Sequence, residues 1–207
     1  MTDPKSLAST AGYGDSAAAL VEQYESVSFA EVHRDVLHLF PSEPSAILDI
    51  GAGSGRDAAA LAGQGHRVTA VEPTAELRAL GRRIHADRDI DWVDDSLPGL
   101  EVLRGRGGRF DLILLTAVWM HLDERQRASS MEGIVGLLAA GGRLVLSLRH
   151  GPVPAGRRMF DVSVDETVEL ARSHGLHPAH LNERADPLGR QEVRWSYLGL
   201  QREPAGP

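Results

Sequence analysis

The sequence predicts an α/β fold. A seven-stranded mixed sheet, five strands parallel and the last two an antiparallel pair, carries helices on both faces. Three observations lead there. Short apolar runs alternate with helix-period segments between residues 46 and 148. A glycine-punctuated turn, Gly51-Ala52-Gly53-Ser54-Gly55, joins the first run to the first such segment. Two final strand-like runs, 177–183 and 193–201, have only a polar loop between them, so they pair antiparallel.

The elements follow in order. Residues 1–14 read as a flexible tail, broken at Gly12-Tyr13-Gly14. Asp15 or Ser16 caps a helix running through Ala17, Leu20, Val21 and Tyr24. A second helix spans 29–40, with Val32, Val36, Leu37 and Phe40 at helical spacing, and stops before Pro41. These two helices, within 15–41, pack on a sheet edge or cover a cleft. Then come a strand at 46–50, a helix at 57–64, a strand at 67–72 and a helix at 75–87 with Pro73 near its start. A strand at 90–93, a short helix at 98–104 and a glycine-rich turn at 105–108 lead to the strand 110–115. That last run is apolar throughout, as in a strand buried on both faces. A helix over 123–138 ends at Gly141-Gly142, a strand covers 143–148, and a helix opens at Asp165 or Glu166 and closes at Gly175. The expected organisation is one domain, 15–203, with a second short tail at 204–207.

Composition narrows the function. No apolar run reaches the roughly 18 residues that span a bilayer, and the polar N-terminus lacks the apolar core of a signal sequence. There is no cysteine, hence no disulfide framework, thiolate metal site or thiol nucleophile. These features fit a cytoplasmic protein without membrane contact. The net charge of −7 disfavours a grip on nucleic-acid phosphates. The nine histidines are scattered, so no metal site is expected.

The glycine turn gathers backbone N–H groups and a helix N-terminus at one point, which suits a polar or anionic ligand. Gly51 and Gly53 permit positive φ and close ligand approach, and Gly55 permits close helix–strand packing. Glu72 ends the second strand, where a carboxylate can accept from both hydroxyls of a ribose. The dinucleotide fingerprint requires glycine where Arg56 stands, which counts against a nicotinamide-dependent oxidoreductase.

Asp49 followed by the Gly51–Gly55 turn resembles motif I of the class I S-adenosylmethionine-dependent methyltransferases, a Rossmann-like family. Val71-Glu72-Pro73 is similar to its ribose motif, Trp92 to Pro98 to its adenine stretch, Phe110 to Leu122 to its fourth strand and loop, and Leu137 to Leu144 to its entry into strand five. The turn with Arg56-Asp57 also resembles the tellurite-resistance-like branch and related small-molecule enzymes.

The resemblance implies S-adenosyl-L-methionine as cofactor and a small-molecule acceptor. Asp49, with the carbonyl of Thr116 or Ala117, would recognise the ammonium, and Gly51, Ala52, Gly53 and Gly55 would line the methionine portion. Glu72 and Pro73 would hold the ribose; Asp95, or alternatively Asp94, the adenine amino group with the Ser96 backbone; and Leu77 would pack on the adenine. His121 and His150 are the candidate bases. Trp119 and Tyr24 are candidate walls of the acceptor pocket. Arg149, Arg157 and Arg158, in a Pro/Gly-rich loop, are candidate contacts to an anionic acceptor group. A noncatalytic cofactor-binding partner or regulator is the alternative, and monomer and homodimer both fit.

Overall fold

The computed structural model describes residues 10 and 12–204. Of the expected tails, 1–14 and 204–207, residues 1–9, 11 and 205–207 lie outside the described residues. Two N-terminal helices, α1 (Ala17–Glu25) and α2 (Phe29–His33), precede alternating strands and helices. These are β1 (Ala46–Ile50), α3 (Arg56–Gly63), β2 (Arg67–Val71), α4 (Ala75–Ile84), β3 (Ile90–Val93), α5 (Glu101–Arg106), β4 (Phe110–Leu115), α6 (Glu124–Leu137) and β5 (Leu138–His150). The chain closes with α7 (Val164–Ser173), β6 (Leu176–Ala185) and β7 (Arg194–Arg202).

The strands lie in one sheet, ordered β3-β2-β1-β4-β5-β7-β6. The first five pair in parallel, and β7 runs antiparallel to both β5 and β6. The order reverses between β1 and β4, and the crevice beyond the carboxyl ends of those strands is where such sheets bind ligands. β1, central and buried at every position, sends alternate side chains to two cores. Leu48 and Ile50 join the face holding Met131, Ile134 and Val168, whereas Ile47 joins the face holding Phe29, Ala58 and Leu61.

Two elements depart from the sequence reading. The helix expected at 29–40 is instead α2, capped by the Ser28 hydroxyl, followed by a 3-10 turn at Leu37–Leu39. The break buries Leu39, packed against the Gly199 backbone, and leaves Leu37 exposed. β5 runs from Leu138 to His150 rather than 143–148: Leu138 already pairs with Phe110 of β4, so Gly141-Gly142 lies within the strand, and β7 pairs through His150 at the far end.

Candidate active site

A cavity of about 430 Å³ opens at the carboxyl ends of the central strands, within the range of about 300–1,000 Å³ usual for small-molecule sites. One end is built from the β1 and β2 turns. Gly51 (φ +73°) and Ala52 donate their N–H groups to the Val71 carbonyl at 2.8 and 2.9 Å, which pins the turn to β2. A Cβ on Gly51 would lie 2.5 Å from Val118, and one on Gly53 would lie 3.2 Å from the Tyr24 ring. Only glycine leaves the cavity open there. The Glu72 carboxylate bridges two backbone donors, Gly53 N–H and Thr74 N–H, both at 2.8 Å. Burial raises its pKa against the pull of those two bonds.

Asp49 is 2% exposed, and its Oδ2 has no partner among the described residues. Burial pushes its carboxyl well up, and neighbouring Asp57 pushes the same way. Asp57 is buried as well, which alone would raise it. Yet His33 Nε2 at 2.8 Å and Arg56 Nε at 2.7 Å hold it well below the carboxylate range. Thr116 Oγ1 donates to Asp57 at 2.9 Å. Asp57 is therefore spent on its partners, and Asp49 is the acceptor left with an open lone pair on the cavity wall.

The other end is assembled from distant loops. β4 leads into Ala117, whose φ of +60° turns the chain back while its N–H donates to Ser147 Oγ at 2.9 Å. The following 3-10 turn, Trp119–His121, eclipses positions three apart, so Val118 and His121 share the cavity side. His121 Nδ1 donates to the Arg158 carbonyl at 2.7 Å, which leaves Nε2 as the ring's acceptor. Tyr13 Oη lies 3.0 Å from Nε2. Burial lowers the His121 pKa, and Arg157 and Arg149 add to that against the Arg158 carbonyl. From the sheet, Ser147 and Arg149 of β5 and Trp195 and Tyr197 of β7 face the cavity. The β6–β7 loop folds in behind them. Asp186, held at a pKa of about 2 by Arg190 and Trp195 against the effect of burial, clamps Arg190 in a two-pronged ion pair.

Of the residues singled out in the sequence, Asp49, Gly51, Ala52, Gly53, Glu72, Pro73, Leu77, Ser96, Thr116, Ala117, Tyr24, His121, Arg149 and Arg157 line this cavity. Six do not, and each has a physical reason. Gly55 packs against Trp92, which a Cβ would meet at 2.6 Å. Asp95 turns its oxygens to the N–H groups of Ser96 and Leu103, capping the entry to α5. Asp94 is exposed and paired with Arg78 at 2.9 Å. Trp119 is fully buried, turned into the core by the 3-10 geometry that aims Val118 and His121 outward. His150 sits one residue past Arg149 and therefore on the other face of β5, where its Nε2 meets Ser196 Oγ at 2.7 Å. Arg158 pairs with Asp123 at 3.1 Å.

Tyr13, assigned above to a tail, instead lines the cavity, as do Arg56, Asp57, Asp186, Arg190, Trp195 and Tyr197. For most of these the signal is tertiary. Arg56 and Asp57 stood out locally, as the pair that follows the glycine turn and opens a helix. Among the described residues no group of three or more histidines or acids could hold a metal ion, and no helix is long and apolar enough to cross a membrane.

Residues 47–142 match the family described as a methyltransferase domain. The chain is 28% identical over 168 residues to a demethylmenaquinone methyltransferase of Clavibacter sepedonicus, covering 73% of this chain and 62% of that protein. Among solved structures, a 1,6-didemethyltoxoflavin-N1-methyltransferase of Burkholderia thailandensis, with bound 1,6-didemethyltoxoflavin and S-adenosylhomocysteine, superposes with a TM-score of 0.63 at 23% identity, covering 91% of this chain and 89% of the other. A TehB-like S-adenosylmethionine-dependent methyltransferase of Corynebacterium glutamicum gives a TM-score of 0.66 at 22% identity, covering 89% and 97%.

Proposed function

We propose that this chain is a class I S-adenosylmethionine-dependent methyltransferase, a reading supported by the match of residues 47–142 and by the relatives above, and that it methylates an ionisable O–H or N–H of a small molecule bearing an anionic group. The observation that carries this reading is the continuity of one cavity. It joins the Asp49–Glu72 end to an end lined by His121, Arg149 and Arg157.

The residues at the first end fit S-adenosyl-L-methionine. The open lone pair of Asp49 suits an ammonium, with the Thr116 and Ala117 backbone alongside. Glu72, already fixed by two backbone donors, has lone pairs left for ribose hydroxyls. Leu77 and Pro73 offer apolar surface for a base, and Ser96 offers backbone. When bound, the cofactor supplies a sulfonium-activated methyl group. The protein then has to orient the acceptor, exclude water and take a proton.

The second end suits those tasks. His121 carries a neutral imidazole with Nε2 as acceptor. Arg149 directs Nη1 at a carbonyl, Pro152, rather than at a carboxylate, so its charge stays available to a ligand anion. Arg157 stacks on Tyr13 with Cζ 3.9 Å from the ring centroid and adds a second cation. Arg190 contributes little net charge, because Asp186 neutralises it.

Calorimetry with S-adenosylmethionine, S-adenosylhomocysteine and NAD, followed by S-adenosylhomocysteine release against fractionated small-molecule extracts, tests the reading. Binding of the first two ligands and turnover enriched in anionic fractions are expected. Binding without turnover in any fraction would make the chain a noncatalytic cofactor-binding protein, and binding of NAD alone would make it an oxidoreductase.

A further inference from the structure

The hydrogen bonds around His121 form one directed chain that starts in the N-terminal segment. His121 Nδ1 donates to a carbonyl, so Nε2 accepts, and Tyr13 at 3.0 Å must be the donor. With its own proton committed to His121, the Tyr13 oxygen keeps lone pairs that can accept from a further donor. The Tyr13 ring meets the imidazole edge-on, centroids 5.6 Å apart, and its face is covered by the Arg157 guanidinium. Tyr24 lies over Gly53 in the cofactor cradle. Tyr13 thus stands between the cradle and the only acceptor nitrogen of His121.

We infer that Tyr13 is the group through which the acceptor's proton reaches His121, and that it fixes the imidazole in its Nδ1–H form. The inference rests on the methyl-transfer reading above. An acceptor X–H donates to the Tyr13 oxygen. As X–C forms from the electron pair of X, the X–H proton passes to Tyr13 and the Tyr13 proton passes to Nε2; the C–S electron pair remains on sulfur. Tyr13 ends neutral, and the imidazolium returns its proton to water. Two cations beside it favour that release. They also make His121 a weak base, which matches it to an acceptor whose own X–H is acidic, such as an enol or phenol, with the developing anion held by Arg157 and Arg149.

Tyr13→Phe in the intact chain tests this, since it keeps the ring under Arg157. Two readouts are independent. Histidine ring-nitrogen NMR across pH needs no cofactor or acceptor. The wild type should show His121 as the Nδ1–H form, and the variant should titrate at higher pH, because the neutral ring loses its donor. Turnover with an active extract fraction should fall about 100-fold or more, with S-adenosylhomocysteine affinity within about twofold and the acid limb of the pH profile displaced. A His121 titration unmoved by Tyr13→Phe overturns the inference, whether or not any fraction supports turnover. Turnover within about threefold of wild type, with an unchanged pH profile, overturns it too. Failure of every fraction with the wild type would count against the methyl-transfer reading alone, leaving the NMR result to decide the hydrogen-bonded pair.

Discussion

The two ends of the cavity are built differently. The Asp49–Glu72 end is built chiefly from one stretch, residues 49–77, with Ser96, Thr116 and Ala117 beside it, and its geometry is set by positive-φ glycines and backbone hydrogen bonds. The His121 end draws on Tyr13, the β4–α6 turn, the last residues of β5, the loop after it and the β6–β7 loop, and it is held by side chains. Backbone geometry leaves little room for variation, whereas side chains on loops can be exchanged without disturbing the sheet. The first end is therefore suited to a ligand shared by many proteins, and the second to a ligand particular to this one.

The largest effect expected from breaking this contrast is at Gly51. Gly51→Ala places a Cβ against Val118 in a left-handed backbone, at a cost of about 2–5 kcal/mol in strain and overpacking. Chemical denaturation should show that loss, and calorimetry should show no S-adenosylhomocysteine binding. Adding Val118→Ala should recover the packing part only. Unaltered binding in the single variant would show that the cradle is not rigid.

Next is Glu72→Gln, which replaces a carboxylate held by two N–H donors with an amide. A lost charge-assisted hydrogen bond is worth about 1.5–3 kcal/mol, so S-adenosylhomocysteine should bind roughly 10–150-fold more weakly. Acceptor recognition should be untouched.

The converse belongs to the arginines. Arg149→Gln or Arg157→Gln should raise the acceptor's KM about tenfold, at the lower end of a charge-assisted bond, while cofactor affinity holds. Arg158→Gln should change neither, because its pair with Asp123 is exposed and screened by solvent. Equal effects of Arg149→Gln on both ligands would mean that the two ends cannot be separated.

The smallest expected effect is on pH. The His121 pKa is depressed in the folded chain, so the unfolded chain takes up a proton first as pH falls below about 6.5. Stability should decline from there until the folded-state pKa is passed and then level off for this group. Turnover should keep its neutral base below pH 6.5. In His121→Asn this portion of the decline in melting temperature should vanish.

The same contrast explains what could be read from the sequence. Strands and helices were legible because their apolar periods are local, and β1, β3 and β4 have the expected ends. The cradle was legible because the glycines, Asp49 and Glu72 lie close together in the chain. At the other end the sequence picked out His121, Arg149 and Arg157 but not Tyr13, since contact between residues 13 and 121 leaves no periodic trace. Asp94 and Asp95 show the limit of spacing. Two adjacent acids at a strand end look alike, and only the Leu103 N–H and Arg78 reveal where each is turned. Trp119, a candidate pocket wall in the sequence, lies in the core because the 3-10 turn aims Val118 and His121 at the cavity instead.

The pleat of β5 has a further consequence for how the acceptor end can change over generations. Ser147 and Arg149 face the cavity, while Leu148 and His150 face away. Insertion or loss of a single residue upstream in this strand would exchange the two sets while preserving the hydrogen-bonding repeat. It would present an imidazole where a guanidinium stood and bury a cation against the core. A two-residue change would restore the original assignment. Length changes at this edge of the sheet therefore differ in kind according to whether they are odd or even, and the odd ones offer a single-step route to a differently charged pocket.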